Sequence, residues 1–376
     1  MNPTVKQHAL IVVTLVFTLL ALVLVMFDPL SVSGQVNRRW NPRRVPADTV
    51  FLGDQVCLDC HKKFASFGHS GMAMAMEQVG VSKILSDNPQ LTMRVGAYSY
   101  QIKRDGKQSF YSVSDGRETI SLPILYAFGQ GKMGQTYVLQ HEGKFYESLV
   151  SFYNEPKSLD FTIGAPRLEP RSLLDAMGRV LTPNEVSNCF SCHATGAVMG
   201  SQLRLENFSH GVRCESCHGP GGKHVAAVKA GEPGATGIFN PKLLSGDELT
   251  QQFCASCHRG SDEFSLLKSL EINNVRFQPY RIFHSKCYSD DRKISCTACH
   301  NPHEPLREDP AYYDNRCLGC HTLKTKTAKA GDGTSCPVAE KNCTSCHMPK
   351  VEVKAAHFNF TDHYIRIVRP GEKFPN

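Results

Sequence analysis

Three patterns of hydrophobic and polar positions follow one another along this chain of 376 residues. Residues 9–27 are an almost unbroken apolar run, residues 91–161 alternate apolar with polar positions, and residues from 166 onward are rich in loops. An apolar run of this length is long enough to span a bilayer. We therefore predict a signal anchor, a single transmembrane helix, over residues 1–28 and a linker over residues 29–50.

The fate of this N-terminal segment is open between retention and cleavage. Its apolar run exceeds the usual core of a signal peptide, and no strong small-residue cleavage site follows, which favours retention. The positive-inside rule would place the arginines that follow the apolar run in the cytoplasm, and this argues against export of the chain. These arginines belong either to a solvated linker or to a contact with anionic headgroups on the outer leaflet; they are Arg38, Arg39, Arg43 and Arg44.

The alternating stretch predicts an antiparallel β meander within residues 91–165, because half-buried strands repeat with a period of two. Turn signals of the Asp-Gly and Glu-Gly type separate its apolar runs. The predicted strands are Met93–Lys103, Ser109–Val113, Glu118–Ile124, Thr136–Gln140 and Lys144–Phe152. A G-x-G-x-x-G stretch at residues 129–134 is predicted to be a hairpin loop, since no βαβ unit surrounds it.

The remaining chain, residues 51–90 and 166–376, is predicted to consist of short helices joined by loops. Helices are expected near Leu173–Val180, Asn184–His193 and Gly260–Ile272. Between them proline and glycine are frequent, so long regular elements are not expected.

One short motif, Cys-x-x-Cys-His, occurs seven times in these helical regions. Cysteines at i and i+3 lie on one side of a helical turn, so both thiols can bond to one porphyrin while the next imidazole binds its iron. A zinc ribbon or a thioredoxin-like redox pair would not require the histidine each time. Numbered in chain order, the motifs are Cys57/Cys60/His61, Cys189/Cys192/His193, Cys214/Cys217/His218, Cys254/Cys257/His258, Cys296/Cys299/His300, Cys317/Cys320/His321 and Cys343/Cys346/His347.

The motifs predict seven covalently bound haem c groups, attached through fourteen of the sixteen cysteines and each with one proximal histidine. Six of the motifs fall within residues 189–347, which leaves little room for independent cores. The haems are therefore expected to form the core, and folding should depend on haem insertion. The formal charge of +7 also changes, because each bis-imidazole haem adds about −1 when oxidised and about −2 when reduced. No nucleic-acid partner follows from the charge.

A low-spin haem iron needs a second axial ligand, and the histidines outside the motifs are the candidates. His8 lies in the N-terminal segment, and His141 in the strand-rich region is predicted to be a surface residue. Methionines 72, 74 and 76 could ligate but are predicted to pack against a porphyrin. The seven candidate distal ligands are His69, His210, His224, His284, His303, His357 and His363.

Cys287 and Cys336 lie outside the motifs. Two buried thiols are one interpretation, but an exported chain in an oxidising compartment favours a disulfide between them.

Several stretches of the chain resemble the cytochrome c-552/c-554-like multihaem family. They are Phe51–Cys57 with His69 and Met76, Gly211–Gly221 around motif 3, Cys299–His303, and Cys343–Lys350. The resemblance implies a mainly α, loop-rich fold built around stacked haems, with the β meander as an insertion and a relation to hydroxylamine oxidoreductase and multihaem nitrite reductases. It also implies distal-ligand positions at His210, His224 and His303. The Cys-x-x-Cys-Lys motif of several such reductases is absent from the sequence.

These observations predict an electron carrier on the periplasmic side of the bacterial cytoplasmic membrane, anchored or cleaved and soluble. It would pass electrons between a membrane oxidoreductase and a downstream acceptor, with membrane and soluble redox proteins as partners. The alternative is a reductase or oxidase of a small nitrogen or sulfur compound at one high-spin haem, with Tyr280, Arg281 and His284 as the candidate cluster. A scaffold cytochrome is a third class. The sequence predicts no oligomeric state.

Overall fold

The computed structural model describes residues 40–232, 237–267, 272–288, 294–321, 336, 338–339, 341–369 and 371–375. The chain divides into two units, Met1–Arg39 and Trp40–Asn376, and only the second contains described residues. The predicted signal anchor over residues 1–28 and the arginines at positions 38 and 39 therefore lie outside the described residues.

Two larger antiparallel sheets occupy the region between motifs 1 and 2. Their strands are β1 Met76–Glu77, β2 Gln90–Val95, β3 Tyr98–Asp105, β4 Gln108–Ser114, β5 Thr119–Pro123, β6 Tyr126–Gly131, β7 Gly134–His141, β8 Lys144–Ser148, β9 Val150–Tyr153, β10 Ser158–Phe161 and β11 Gly178–Val180. In the first sheet, β2 to β5 pair in sequence order. In the second, β6, β7 and β8 form the centre, with β1 and β11 at the edges, while β9 pairs with both β7 and β10.

The alternation that predicts these strands is also what builds their core. In β4 every second side chain is buried, and Tyr100, Tyr111, Tyr137 and Leu139 form part of one apolar cluster shared by both sheets. A second cluster joins the sheet to the helix that carries motif 2, since Phe128 of β6 packs edge-to-face on Phe190. The β region therefore supports a haem motif directly.

Two of the predicted strands have wrong boundaries. Met93–Lys103 contains a tight turn at Gly96, whose φ of +57° favours glycine, and Glu169 accepts a hydrogen bond from the backbone of Ala97 there. Lys144–Phe152 is divided at Leu149 into β8 and β9. The predicted hairpin loop at residues 129–134 is confirmed, because β6 and β7 pair antiparallel across it.

From residue 173 onward the structure alternates one- to three-turn helices with small hairpins. The α-helices, with the two before them, are α1 Asp54–Leu58, α2 Lys83–Asp87, α3 Leu173–Met177, α4 Pro183–His193, α5 Cys214–His218, α6 Gly222–Lys229, α7 Ala255–His258, α8 Ser261–Leu267, α9 Gln278–Phe283, α10 Pro310–His321 and α11 Cys343–His347. The hairpins pair β12 Ala194–Thr195 with β15 Ser209–His210, β13 Val198–Met199 with β14 Gln202–Leu203, and β16 Lys350–Val353 with β17 Phe358–Thr361.

Tighter and wider turns complete the helical content. The 3₁₀ segments are Lys62–His69, Val79–Val81, Pro241–Leu243, Ile272–Arg276, Cys296–Ala298 and Lys354–Ala356, and Glu248–Cys254 is a π-helix that runs into α7. The predicted helix Leu173–Val180 is correct only over its first five residues, because β11 follows at once.

The prediction of a mainly α fold is wrong, and the predicted N-terminal transmembrane helix lies outside the described residues. Strands make up 25% of the structure beside 34% helix. Within the described ranges, no helix combines the length and apolar character needed to cross a membrane. The error has a physical origin: residues 194–210 between motifs 2 and 3 and residues 350–361 after motif 7, predicted as loops, close into hairpins whose strands pair with each other.

A fully buried ion pair fixes the C-terminal part of the chain. Arg281 in α9 donates Nε–H and Nη2–H to the two carboxylate oxygens of Asp362 at 2.8 and 2.9 Å, and neither side chain is exposed to solvent. Its remaining donors reach Asn274 and the carbonyl of Pro375. Burial alone would raise the pKa of Asp362, but hydrogen bonds from Arg281 and from the backbone of Tyr364 outweigh it and lower that pKa.

Replacing Asp362 with asparagine leaves the guanidinium of Arg281 buried without its counter-charge. We expect the free energy of unfolding to fall by about 3–5 kcal/mol, measured by denaturant unfolding of the haem-loaded protein. The control is Asp87→Asn, which breaks the exposed pair with Lys83 and should change stability by no more than about 0.5 kcal/mol. Equal effects of the two substitutions would contradict this role of the buried pair.

Candidate haem sites

All seven Cys-x-x-Cys-His motifs lie on or beside short helical segments. In motifs 2, 3, 4, 6 and 7 the motif histidine is the last residue of its helix, so the imidazole leaves the helix end at the same side as the two thiols. Helix α4 begins with a capping box in which Thr182 and Glu185 exchange hydrogen bonds, which fixes where motif 2 starts. The helices thus place two cysteines and one imidazole together at each motif.

Three motif histidines have the orientation that an iron ligand requires. Nδ1 of His193, His218 and His347 lies 2.9, 3.1 and 2.9 Å from the backbone carbonyls of Ala75, Phe239 and Arg366, respectively. A carbonyl only accepts, so Nδ1 carries the proton and the lone pair of Nε2 is available to a metal. This donor chemistry fits haem iron at motifs 2, 3 and 7.

Three candidate distal histidines lie opposite a motif histidine. Because a metal–imidazole bond is about 2 Å long, two imidazoles on opposite sides of one iron have ring centroids about 6 Å apart. The observed ring pairs are His61 with His224 at 6.3 Å and 24°, His218 with His303 at 5.8 Å and 17°, and His300 with His363 at 6.1 Å and 39°. The separations fit a haem with two axial imidazoles at motifs 1, 3 and 5.

Burial keeps most of these imidazoles neutral, which is the form that binds iron. Desolvation lowers the pKa of His193, His218, His258 and His300, and the pKa of His363 falls to about 4 through burial and the neighbouring His300. His258 is exposed, yet desolvation by the surrounding protein still lowers its pKa.

Three further candidates are placed without a ring pair to a motif histidine. His69 is exposed at the end of its 3₁₀ segment, and His284 is exposed beside Tyr280 and Tyr364. His210 lines a cavity of about 490 Å³ together with Met74 and other residues, and its partner across the β12–β15 hairpin is Ala194, next to a motif histidine. Their part as distal ligands stays a prediction.

His357 has a different environment from the one predicted for a distal ligand. Its Nε2 lies 2.7 Å from the carboxylate of Asp160, and its ring contacts Tyr153. This contact engages one ring nitrogen of His357, and its part as a distal ligand stays a prediction. His141 is half-buried at the end of β7, where its ring contacts Tyr146.

Contacts between cysteines join the motifs to one another. The side chains of Cys57 and Cys214, of Cys192 and Cys257, of Cys254 and Cys296, and of Cys317 and Cys343 lie close enough to interact. Longer electrostatic interactions link Cys217 with Cys254 and Cys299 with Cys317. Followed in space, the motifs run 1, 3, 4, 5, 6, 7, and motif 2 joins this line at motif 4.

The second cysteines of the motifs differ in their exposure to solvent. Cys60 of motif 1 and Cys320 of motif 6 are exposed thiols, as is Cys346 of motif 7, whereas the other motif cysteines are partly buried. The histidines that follow the first two, His61 and His321, are exposed as well. Haem attachment at all seven motifs, including Cys60 and Cys320, stays a prediction.

Motifs 1 and 3 are held together by a buried carboxylate. Glu215, only 2% exposed, accepts hydrogen bonds from the backbone of Leu52 and Gly53 at 2.7 and 2.8 Å and from Gly221 at 2.8 Å. Gly211 allows the close approach of the two segments, because a Cβ there would lie 1.8 Å from the carbonyl oxygen of Ala73.

An N-terminal strap, residues Trp40–Val45, crosses three motifs. The indole of Trp40 donates to the carbonyl of Ser216 in motif 3 at 2.6 Å. Arg43 donates to the hydroxyl of Ser191 in motif 2 at 3.2 Å and to the carbonyl of Ser256 in motif 4 at 2.9 Å. Arg43 therefore fits neither of the two alternatives that the sequence left open, a solvated linker or a headgroup contact, and it joins motif 2 to motif 4.

The two cysteines outside the motifs have different surroundings. Cys336 is an exposed thiol, and Cys287 is partly buried near Cys299 and Cys317. The disulfide between Cys287 and Cys336 stays a prediction.

Comparisons with known proteins agree with the motif content. The family model described as cytochrome c554 and c-prime matches residues 169–219, which include motifs 2 and 3. The "Multiheme cytochrome MtrA" of Shewanella baltica (strain OS185) is 23% identical over 180 residues, 45% of this chain and 47% of that protein. The chain is a multihaem c-type cytochrome. It spans about half the length of the curated relative that it matches.

Two solved multihaem cytochromes are also similar. The undecahaem cytochrome from the S-layer of Carboxydothermus ferrireducens is 16% identical, with 87% of this chain and 53% of that chain covered and a TM-score of 0.44. For the outer cell wall cytochrome OcwA the identity is 14%, the coverage 85% and 80%, and the TM-score 0.47. Neither TM-score reaches 0.5, so neither structure defines the fold of this cytochrome. The predicted relation to hydroxylamine oxidoreductase and nitrite reductases stays a prediction.

The role of Arg43 in this cytochrome can be tested by comparison with its neighbour Arg44. Replacing Arg43 with glutamine removes charged donors from motifs 2 and 4, and we expect a loss of about 1.5–3 kcal/mol in unfolding free energy of the haem-loaded protein. Arg44 is exposed, and Arg44→Gln should change stability by less than about 0.5 kcal/mol. A matching loss in both variants would show that position 43 acts only through overall charge.

Proposed function

We propose that this cytochrome binds seven haem c groups and transfers single electrons along the line of motifs 1, 3, 4, 5, 6 and 7, with motif 2 as a side branch. Haem iron supplies the one-electron chemistry by cycling between its ferric and ferrous states. The chain supplies the spacing, the axial ligands and the electrostatic environment.

One observation carries this proposal: every motif approaches another motif through its cysteines. Electron transfer between cofactors slows steeply as their separation grows, so an uninterrupted series of neighbouring attachment sites is what a conduit needs. The contacts Cys57–Cys214 and Cys317–Cys343 lie at the two ends of the line. At its centre, Cys254 interacts with both Cys217 and Cys296. All seven motifs thus belong to one connected series.

The positions of the histidines support haem irons with two axial imidazoles each. At motifs 1, 3 and 5 a second imidazole lies at the distance expected across an iron. Two strong axial ligands leave no open coordination position, which suits electron transfer. His224, His303 and His363 are the distal ligands we propose, with His69, His210 and His284 for other motifs.

We further propose that the protein works on the outer side of a bacterial cytoplasmic membrane. There it would accept electrons from a membrane oxidoreductase and deliver them to a downstream redox protein. Covalent attachment of haem to Cys-x-x-Cys-His motifs takes place on that side, and this supports a location in the cell envelope.

The cluster considered for small-molecule chemistry does not support an enzymatic role. Arg281 is fully buried and bound to Asp362, so its guanidinium faces no substrate. Tyr280 is buried and stacks on Phe264, and His284 alone of the three is exposed.

The proposed haem number is checked by intact mass spectrometry of the protein matured in a host that attaches haem c. We expect the polypeptide mass plus seven haem groups, because each motif places two thiols and an imidazole together. A single-motif variant, Cys343→Ala with Cys346→Ala, should carry six. A wild-type count below seven would contradict the proposal.

The proposed axial pair of motif 3 is tested by replacing His303 with alanine. We expect one iron to change from low-spin to high-spin in low-temperature EPR, because His218 then has no imidazole opposite it. His141→Ala is the matched control, since this half-buried histidine lies at a strand end beside Tyr146, and it should leave the spectrum unchanged. An unchanged spectrum in His303→Ala would remove this residue from the ligand set.

A further inference from the structure

Two junctions between motifs, far apart in the chain, are built in the same way. At both, an aspartate three residues before the first cysteine of one motif accepts a hydrogen bond from the backbone N–H of the first cysteine of the other. Asp54 accepts from Cys214 at 3.0 Å, and Asp314 accepts from Cys343 at 2.8 Å. The aspartates precede Cys57 and Cys317 by the same spacing, Asp-x-x-Cys.

The same cysteines meet through their side chains. The side chain of Cys57 lies beside that of Cys214, and the side chain of Cys317 lies beside that of Cys343. In each pair the carboxylate therefore fixes the helix start of one motif directly against the thioether position of the other. An attachment atom cannot move at such a junction without lengthening a charge-assisted hydrogen bond.

Each carboxylate has a second contact that holds it in place. The other oxygen of Asp314 accepts from the backbone N–H of Asn342 at 2.7 Å, and the residue is only 7% exposed. Asp54 pairs with Arg213 at 3.6 Å, the residue before Cys214. The carboxylates thus bind two adjacent positions of the partner motif, which defines an orientation as well as a distance.

A third junction offers an internal comparison. Cys254 and Cys296 also meet through their first cysteines, but the polar group there is the hydroxyl of Thr250, 3.9 Å from the sulfur of Cys296. Position −3 in motif 4 is Gln251, whose amide donates to the carbonyl of Pro279 instead. The carboxylate is thus a feature of junctions 1–3 and 6–7, near the two ends of the line.

We propose that Asp54 and Asp314 are positioning residues that set the relative placement of the haems of motifs 1 and 3 and of motifs 6 and 7. This inference rests on the proposed function, since it concerns how neighbouring haems are held. Each carboxylate also keeps one negative charge beside its haem pair, which favours the ferric state and lowers the midpoint potential of that pair.

The test compares three variants of the haem-loaded protein: Asp54→Asn, Asp314→Asn and Asp59→Asn. Asp59 is exposed and lies inside motif 1, so its substitution removes the same charge without touching a junction. Intact mass first establishes the haem number in each variant. Soret circular dichroism then reports the coupling between neighbouring porphyrins, and hydrogen–deuterium exchange reports the amides of Cys214 and Cys343.

We expect Asp54→Asn to speed exchange at Cys214 by about tenfold and to leave Cys343 unchanged, with the reverse pattern for Asp314→Asn. Both should alter the Soret couplet and raise the midpoint potentials of the haem pair beside the substituted aspartate. Asp59→Asn should raise a potential without altering exchange or the couplet. Unchanged exchange and an unchanged couplet in both junction variants would overturn the inference, as would an Asp59→Asn protein that reproduces their changes.

Loss of a haem in Asp54→Asn is addressed by Asp54→Glu, which keeps the charged acceptor but places it one methylene further out. This variant should retain all haems while its Soret couplet changes, and a wild-type couplet would count against the inference. A wild-type haem number below seven refutes the proposed function instead, so the two failures are distinguishable.

Discussion

An imidazole can present Nε2 to a metal in a fixed direction only if its Nδ1 proton is held by an acceptor. In this cytochrome the acceptors are backbone carbonyls from parts of the chain remote from the motif, Ala75 for His193 and Arg366 for His347. The irregular segments outside the motifs therefore have a structural role. They return to the motifs and supply the groups that orient these histidines.

The features that the sequence predicts well are those with local signatures. Cysteine spacing identifies the attachment sites, and apolar alternation identifies most strands of the two larger sheets. Boundaries fail where the signal is weak, as at Gly96, where a single glycine turns the chain without a second turn-forming residue. The small hairpins were missed because strands of two to four residues are too short to show a period.

Long-range polar contacts could not be predicted because their partners lie far apart in sequence. Arg43 bonds residues 148 and 213 positions away, and nothing in its own neighbourhood distinguishes it from Arg44. The same holds for His357, whose carboxylate partner Asp160 is 197 positions distant. Motif spacing also does not predict burial, since the exposed Cys60 and Cys320 occupy the same motif position as the partly buried Cys217. The surroundings of a residue, rather than its place in a motif, decide which histidines face an iron and which thiols are covered.

The strap formed by Trp40–Val45 has a consequence for the order of assembly. It precedes every motif in the chain, so it is synthesised before them, yet its partners Ser216 and Ser256 follow 176 and 213 residues later. All of its contacts can form only after motif 4 has been synthesised and folded. Docking of the strap is thus a late folding step, because it depends on contacts of high sequence separation.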